Sequence, residues 1–409
     1  MPADRYEAPP RERRKGVALC LSGGGYRAAL FHLGVLRRLN ELGVLARVDT
    51  ISAVSGGSIL AAFVADHVPE WPESGPIAGF DDTIAPKFRD FTRENIRTTW
   101  AFKRFLLPWN WPRSTVAVEG LASRYARDIT ALRLSQLPER PHYVFCATDL
   151  AWGTNWIFER ERMGSYKPGY ASPPPDWPVA RAVAASSCFP PAFEPLPIAM
   201  DPRELKGGDA RAGAERDRLI GGLRLTDGGV YDNMGLEPVW KSHATVLVSD
   251  GGATFDPSPD AGTLGRLGRY LTVQGNQASG VRKRWLIASY AKKVYGGAYM
   301  GIGSAAAHYD AHAAGYGEEL VDNVVSEVRT DLDYFTDAEA AVLQNHGYLL
   351  ADVAVRCHAP ELRDSGAPAA EAPFPDWLDE RAVAIAMKDS HKRRKLGRWR
   401  LLEKLRGRL

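Results

Sequence analysis

The strongest constraint on this chain is a unit of strand, tight turn and helix that occurs twice near the N-terminus. Gly16 to Leu21 is a short apolar run that ends in Ser-Gly-Gly-Gly, and Tyr26 to Leu42 then carries apolar residues at helical spacing. Asp49 to Val54 repeats the pattern and leads through Ser55-Gly56-Gly57 into an apolar helix over Ser58 to Ala65. Such units build parallel sheets with helices on both faces. They predict an α/β fold, a three-layer α/β/α sandwich with a central, mainly parallel sheet.

Later segments extend this pattern. Residues 85–113 and 259–350 are helical in pattern, and residues 164–178 and 200–218 are rich in turn residues that predict exposed loops. The pattern predicts one large domain over residues 14–358, a polar leader over 1–13, a linker and helix over 359–387, and a basic tail over 388–409. Four further runs resemble strands: His142 to Ala147, Trp156 to Glu159, Leu223 to Leu225 and Thr245 to Val248.

Charge is distributed unevenly along the chain. The 409 residues hold 52 Lys and Arg against 49 Asp and Glu, a net charge of +3. Residues 388–409 alone carry ten basic and two acidic residues, so the tail is +8 and the remainder −5. A mildly acidic body with a basic tail does not fit a nucleic-acid-binding domain, and no nucleic-acid partner is expected. The tail, with Trp399 among leucines, is predicted to bind an anionic membrane surface.

The cysteines and the hydropathy indicate a compartment. Cys20, Cys146, Cys188 and Cys357 are scattered, so they indicate buried thiols of a reducing environment rather than a disulfide framework. No stretch reaches the ~18 apolar residues that a membrane span requires, and the first 15 residues hold no apolar signal segment. We expect a cytoplasmic protein, at most peripheral to the cytoplasmic face of the membrane.

The first candidate for chemistry is Ser55. The segment Ala53-Val54-Ser55-Gly56-Gly57 nearly matches G-x-S-x-G, with alanine in place of the first glycine. A serine on a tight strand-to-helix turn has a strained backbone, and small residues on either side, here Ala53 and Gly57, let the strand and helix approach closely. A serine that only caps the following helix is the alternative.

The second candidate is the glycine run Gly23-Gly24-Gly25, followed by Arg27. Glycines between a strand and a helix let backbone N–H groups point into a cleft, where the helix dipole also favours negative charge. Gly23, Gly25 and Ala28 also fit the dinucleotide fingerprint G-x-G-x-x-A. That fit is weak, because the acidic residue expected after a second strand is replaced by Asp49, which precedes its strand.

The third candidate is Asp227. It follows the strand predicted over Leu223 to Leu225 and precedes Gly228 and Gly229, so its carboxylate is held in a turn at the end of a strand. A carboxylate there could accept the proton of Ser55. A simple Asp-Gly-Gly turn is the alternative.

In their order along the chain, these three motifs resemble those of the patatin-like phospholipases. Two more blocks are similar to family motifs, Ala147-Thr148-Asp149-Leu150 with Gly153 and Phe158, and the run from Ala185 to Phe193. The resemblance spans about Lys15 to Tyr348. Its departures are Ala53 and the 172 residues that separate Ser55 from Asp227, and neither removes a reacting group.

The resemblance implies a serine lipid acyl hydrolase that cleaves carboxylic ester bonds of phospholipids or lysophospholipids and releases fatty acid. It implies a nucleophile at Ser55, a Ser-Asp dyad completed by Asp227, and an oxyanion hole from Gly23, Gly24 and Gly25 with Arg27. Elbow and turn support would come from Ala53, Gly57, Gly228 and Gly229. No metal and no cofactor is implied.

Other assignments stay open at this stage. A catalytically silent lipid-binding protein would keep the same fold, and a nucleotide-binding oxidoreductase would use the glycine loop for pyrophosphate. A Ser-Asp-His triad would need one of the histidines after Asp227, and none lies in a recognisable motif. His308 and His312 share helical spacing but lack the Glu of H-E-x-x-H, so a metal site is not expected. The aromatic cluster from Trp100 to Trp111 suits a small core or a lipid-facing surface equally.

Overall fold

One mixed sheet organises the chain. The computed structural model describes residues 14–98, 115–190, 193–253, 262–394 and 397–400. The predicted polar leader 1–13, the aromatic cluster from Trp100 to Trp111 and residues 401–409 of the tail lie outside these ranges. The described residues form a ten-stranded sheet in the order β10-β9-β1-β2-β3-β4-β5-β6, in which β8 also pairs with β3 and β7 with β8. The strands are β1 (Val17–Leu21), β2 (Thr50–Val54), β3 (His142–Asp149), β4 (Thr154–Phe158), β5 (Met163–Ser165), β6 (Gly169–Ala171), β7 (Leu196–Pro197), β8 (Arg224–Asp227), β9 (Thr245–Asp250) and β10 (Tyr299–Gly301).

The predicted α/β sandwich with a central parallel sheet is confirmed. Strands β10, β9, β1, β2 and β3 are parallel neighbours. An antiparallel extension of β4, β5 and β6, which the sequence pattern did not show as a sheet edge, continues from β3.

Helices cover both faces of this sheet. On one face, alternate side chains of β1 and β2, such as Leu19 and Ile51, enter the large core; on the other, Ala18 and Cys20 pack with Val246 and Val248. None of the helices in the described ranges is long and apolar enough to cross a bilayer. The α-helices are α1 (Gly25–Glu41), α2 (Gly56–His67), α3 (Ala85–Phe91), α4 (Val116–Asp128), α5 (Val179–Ser187), α6 (Ala214–Gly221), α7 (Gly229–Asp232), α8 (Gly262–Ala291), α9 (Asp337–His358) and α10 (Glu380–Ala386), with a further turn at Glu318–Leu320.

The segment predicted as a linker and helix, 359–387, contains helix α10 (Glu380–Ala386), and its first part packs against the body. The side chain of Asn345 on α9 accepts a hydrogen bond from the backbone N–H of Phe374 at 2.9 Å and donates one to its carbonyl at 2.8 Å. Arg38 on α1 donates to the carbonyl of Pro368 at 2.8 Å. These bonds fix the segment against α1 and α9.

The beginning of the basic tail also packs into the acidic body. Arg398 is buried and forms an ion pair with the buried Glu339 at 2.9 Å, and its backbone N–H donates to Asp333 at 2.7 Å. Trp399 is half-buried. Within residues 388–394 and 397–400 the tail therefore contacts the acidic body, and buried carboxylates bind part of the charge that the sequence analysis assigns to an anionic membrane surface.

Two glycines allow helix α1 to lie directly against α9. A Cβ built on Gly34 would be 2.0 Å from the carbonyl oxygen of Gln344, and one built on Gly347 would be 2.1 Å from the carbonyl oxygen of Phe31. Each glycine thus faces the backbone of the other helix, and no side chain fits between them.

We therefore expect Gly34→Ala to destabilise the protein, although alanine is the better helix former. Overpacking against a backbone carbonyl costs about 1–3 kcal/mol, which outweighs the ~1 kcal/mol gained from helix propensity. Gly275→Ala in α8, where a new Cβ meets nothing within 4 Å, is the matched control and should be neutral or stabilising. Urea unfolding of both variants measures the difference, and equal effects would contradict this view of the contact.

Candidate active site

The register of the sheet brings Ser55 and Asp227 together. Strand β2 pairs with the first part of β3 and ends at Val54, opposite Cys146. Strand β8 runs in the opposite direction and pairs with the next part of β3, so that Asp227 lies opposite Ala147. Since β4 occupies the other edge of β3, the ends of β2 and β8 meet along one edge. Ser55 and Asp227 are therefore placed beside adjacent residues of β3, Cys146 and Ala147, although they are far apart in sequence.

Ser55 lies on a strained turn between β2 and α2. Its backbone has φ 50° and ψ −115°, a conformation that non-glycine residues rarely adopt. Its N–H donates to the hydroxyl of Ser186 at 2.9 Å, and Ser186 in turn donates to the carbonyl of Cys146 at 2.6 Å. Ser186 belongs to the second family-like block, so the structure gives that block a position beneath the turn. Strain at a buried serine held in this way is typical of a nucleophile elbow.

Close backbone approaches explain the glycines after Ser55. A Cβ on Gly56 would be 2.2 Å from the carbonyl oxygen of Gly25, and one on Gly57 would be 2.3 Å from that of Leu21. The N–H of Gly57 donates to the carbonyl of Ser22 at 3.1 Å. The N-termini of α1 and α2 therefore converge beside Ser55, and both helix dipoles favour negative charge there.

Asp227 is a buried carboxylate held in its turn by a glycine. Its Oδ1 accepts a hydrogen bond from the N–H of Gly229 at 2.7 Å. Its Oδ2 is buried, and within the described ranges it has no partner at full hydrogen-bond distance and angle. Burial raises the pKa of Asp227 to about 6, and the hydroxyl of Ser55 and the N–H of Gly229 partly offset that rise. The two candidate groups thus interact, and the carboxylate is a stronger base than an exposed one.

Gly228 also contacts backbone closely, because a Cβ there would be 2.4 Å from the carbonyl oxygen of Cys146. On the nucleophile side, Ala53 is completely buried and pairs with Leu21 and Phe145 on the neighbouring strands. Gly228 leaves no space for a side chain, and Ala53 has a small side chain that is fully buried.

The glycine loop presents two N–H groups. Gly24 and Gly25 have φ values of 141° and 58°, and within the described ranges neither N–H donates to a protein acceptor. Gly23 differs, because its N–H donates to the carbonyl of Asn233 at 2.9 Å. The predicted oxyanion donor at Gly23 therefore requires correction: this N–H is already engaged, and the space over Gly23 is what matters, since a Cβ there would be 3.2 Å from Cβ of Ser55.

Arg27 supports the loop from below. Its guanidinium is buried and donates to three backbone carbonyls, those of Gly251 at 2.9 Å, Ser326 at 2.9 Å and Val328 at 2.8 Å. The carbonyl of Gly251 is also the group that a Cβ on Gly24 would meet, at 2.6 Å. Burial lowers the pKa of Arg27 to about 10. The side chain therefore shapes the loop, with its donors used on carbonyls.

A polar network that the sequence motifs did not reveal fixes Ser22 and the start of the loop. Both ring nitrogens of His32 are engaged, Nδ1 with the hydroxyl of Ser249 at 2.6 Å and Nε2 with the carbonyl of Ser22 at 2.9 Å. The Ser22 hydroxyl accepts from the N–H of Gly251 at 2.8 Å. Burial lowers the pKa of His32 to about 4, so its ring is neutral. Both of its ring nitrogens therefore bind backbone or hydroxyl groups of the loop and of β9.

Asn233 is a second residue that the motifs missed. Its side-chain oxygen would be 2.4 Å from a Cβ on Gly23 and 2.6 Å from one on Gly229. It therefore fills the space between the glycine loop and the Asp227 turn. Only the short spacing from Asp227, six residues along the chain, could have suggested it.

The histidines that follow Asp227 lie elsewhere. His243 contacts the hydroxyl of Thr50 at 2.9 Å, at the opposite end of β2 from Ser55, and His346 contacts the carbonyl of Ile302 at 2.8 Å. Within the described ranges no histidine is hydrogen-bonded to Ser55 or Asp227, and no group of three His, Cys, Asp or Glu side chains is placed to hold a metal ion. The described site holds the hydroxyl of Ser55, the buried carboxylate of Asp227 and the backbone N–H groups of Gly24 and Gly25.

The position of Asp49 in the fold argues against the dinucleotide-binding alternative. Asp49 would have to reach the glycine loop at the carboxyl edge of the sheet. It lies instead at the amino end of β2, where its carboxylate accepts a hydrogen bond from the N–H of Val17 at 2.8 Å. A ribose held by that carboxylate would be on the wrong edge.

Known structures resemble this chain at low sequence identity. Human GIVD cytosolic phospholipase A2 is 13% identical, with 94% of this chain and 63% of that chain covered and a TM-score of 0.45. The same protein in complex with methyl gamma-linolenyl fluorophosphonate is 15% identical, with 91% of this chain and 60% of that chain covered and a TM-score of 0.48. VipD from Legionella pneumophila is 14% identical, with 93% of this chain and 76% of that chain covered and a TM-score of 0.34. This chain thus spans less than two thirds of the length of the human protein.

No curated protein matches the chain. The family model described as patatin-like phospholipase matches residues 19–240, which is more than half of the sequence and includes the glycine loop, Ser55, Asp227 and Asn233. The chain belongs to the patatin-like phospholipase family.

Proposed function

We propose that the protein is a serine lipid acyl hydrolase that acts on carboxylic ester bonds of phospholipids or lysophospholipids through Ser55 and Asp227. The observation that carries the proposal is the strained turn at Ser55 beside a buried carboxylate whose pKa burial raises. A serine needs a nearby base to become a nucleophile, and Asp227 is the buried carboxylate at the strand end that meets the end of β2 along β3.

The proposed reaction has two steps. Asp227 accepts the proton of Ser55 Oγ as that oxygen attacks the acyl carbonyl, and the negative oxygen that forms is bound by the N–H groups of Gly24 and Gly25. The protonated Asp227 then gives its proton to the departing alcohol, which leaves an acyl-serine. Water attacks this ester while Asp227 again acts as base, and the fatty acid departs with Ser55 restored. The chemistry uses neither metal nor cofactor.

We also propose a location. Cys20, Cys146 and Cys188 are buried free thiols, whereas Cys357, also predicted to be buried, is an exposed one; free thiols suit the reducing cytoplasm. The ester substrates belong to membranes, so the enzyme would work peripherally at the cytoplasmic face.

Ser55→Ala and Asp227→Asn should each abolish ester hydrolysis while the fold is retained. The first variant removes the nucleophile, and the second removes the base while the shape of the side chain is kept. Loss of each member of a nucleophile–base pair typically lowers kcat by about 10⁴-fold or more. The measurements are fatty-acid release and covalent labelling by a fluorophosphonate probe, with circular dichroism as a check on folding.

The matched control is Ser123→Ala, which removes an exposed hydroxyl on α4 and should label and turn over like the parent protein. Labelling that persists in Ser55→Ala would refute the assignment of the nucleophile. A parent protein that binds lipid but is neither labelled at Ser55 nor able to hydrolyse any ester would favour the silent lipid-binding alternative.

The rate should depend on pH through Asp227. The carboxylate acts as a base only when ionised, and burial raises its pKa to about 6, so kcat/KM should rise through pH 6 and level off above pH 7. Burial raises the pKa of Asp149 to about 6 as well, so Asp149→Asn is the necessary comparison. That variant should keep the same acid limb, whereas a limb that disappears with it would assign the titration to Asp149.

Arg27→Lys should lower kcat, because lysine keeps the charge but cannot reach the carbonyls of Gly251, Ser326 and Val328 together. A loss of about tenfold is expected from a displaced oxyanion donor. Arg38→Lys is the matched control, since Arg38 is equally buried and pairs with Asp352 away from the loop. The thermal unfolding midpoint should fall in both variants. An equal fall in kcat would show a general effect of destabilisation and contradict the positioning role.

A further inference from the structure

Helix α8 is much longer than the strands that it connects. It has 30 residues and a length of about 45 Å, whereas the six residues of β9 span about 20 Å. Only its last part packs on the sheet, where Leu286 is 1% exposed and lies among Val246 and Val248. From Leu286 back to Gly262 the helix extends about 36 Å, so it passes the end of β9 by roughly 25 Å.

The overhang lies at the edge that holds Ser55. Strands β9 and β10 are parallel, so the helix between them runs back against the strand direction and begins at their carboxyl edge. Near its middle, Arg282 donates to the carbonyl of Tyr231 and lies over its ring, 5.0 Å from the centroid. Tyr231 belongs to α7, which begins two residues after Asp227. The helix therefore passes the Asp227 turn as it extends beyond the sheet.

Apolar side chains are exposed along this helix, next to exposed polar ones such as Gln274, Gln277 and Arg284. Tyr270, Val273, Val281 and Trp285 are 61%, 39%, 55% and 39% exposed, and their spacing places them on one side of the helix. Three further apolar side chains are exposed at the same edge of the sheet, at the ends of β3, α5 and β8: Leu150, Phe189 and Val230.

The charge of α8 selects the kind of surface that could cover it. Residues 262–291 contain no acidic residue; Arg266 and Arg269 lie within 262–281, and Lys283 and Arg284 follow, while Arg282 is 4.0 Å from the buried Asp232. A second copy of this helix would bring like charges together, whereas an anionic lipid headgroup layer supplies the opposite charge. Basic residues combined with Tyr, Trp and Val on one helix are typical of segments that lie in a membrane interface.

We propose that residues 262–281 of α8 dock on an anionic phospholipid bilayer and hold the Ser55 edge of the sheet against it. This inference rests on the proposed function, because a lipid hydrolase must meet its substrate at the bilayer. It assigns membrane contact to α8, whereas the described part of the basic tail has Arg398 paired with buried carboxylates.

The test uses the full chain with Tyr270→Ser and Val281→Ser combined, which removes two exposed apolar side chains. Binding is measured by co-sedimentation with vesicles of phosphatidylglycerol and phosphatidylcholine, in a Ser55→Ala background so that the lipid stays intact. We expect about tenfold weaker binding to the mixed vesicles than for Ser55→Ala alone. Pure phosphatidylcholine vesicles should bind weakly throughout. Raising the salt from 0.1 to 1 M shortens the Debye length from about 10 Å to about 3 Å and should weaken binding further.

The matched control is Ile385→Ser on α10, another apolar side chain that is exposed to solvent. It should bind vesicles like the parent protein, and equal thermal midpoints for all variants exclude misfolding as the cause. The proposal is overturned if the double variant binds mixed vesicles as tightly as the control. It is also overturned if the double substitution abolishes a concentration-dependent dimer in ultracentrifugation and leaves vesicle binding unchanged, because α8 would then bind a second copy.

The proposed enzymatic function is measured separately, with Ser55 present. The ratio of the hydrolysis rate on mixed vesicles to the rate on a dispersed short-chain ester should fall about tenfold in the double variant and stay unchanged in Ile385→Ser. If the parent protein hydrolyses neither substrate but binds vesicles through α8, the enzymatic proposal fails and the docking surface stands. If hydrolysis occurs but the ratio is unaffected, the docking surface fails alone.

Discussion

The meeting of two strand ends on one edge of β3 is the constraint on which the site depends. Strand β2 stops at Val54 because the chain must turn into α2, and the edge of β3 that it leaves free is completed by β8 from the other direction. Since β2 and β8 are both hydrogen-bonded to β3, their register on β3 fixes where each of the two strands ends. A shift of β8 by one residue would turn the side chain of Asp227 to the other face of the sheet. Sheet register therefore controls the distance between Ser55 and Asp227, which are far apart in sequence.

The environment that this junction creates is unfavourable to folding and favourable to chemistry. Burial raises the pKa of Asp227 to about 6, so the folded protein holds the proton more tightly than the unfolded chain does. The associated stability is present at acidic pH and is lost as the pH rises from about 4 through 6, at a cost on the order of 3 kcal/mol for the ionised group. The strained backbone of Ser55 acts in the same direction. Packing in the core, including the contact between α1 and α9, has to offset the destabilisation caused by Ser55 and Asp227.

The sequence predicts the parts of this site better than it predicts their supports. The sequence predicts strand β1, the turn at Ser55 and the turn at Asp227, because apolar runs and glycines reflect the local backbone conformation. Arg27 and Ser186 donate to carbonyls that are distant in sequence, and no local pattern encodes such partners. The occupied N–H of Gly23 has the same origin, because its acceptor is the carbonyl of Asn233. Nor does composition reveal that residues 359–387 pack on α9, since their proline-rich sequence also suits a linker.

The distribution of charge shows why position decides what a basic segment does. The tail has the largest excess of basic residues in the sequence, yet Arg398 lies against Glu339 and its neighbour Arg329, where the carboxylate is shared between two guanidinium groups. Exposing Arg398 would leave part of that buried charge unbalanced, so its attraction to the body opposes any attraction to lipid. Helix α8 has fewer basic residues but no acidic residue, and apolar side chains beside them on its solvent side. Its charge and its apolar surface can act on one bilayer together, which net charge along the sequence does not show.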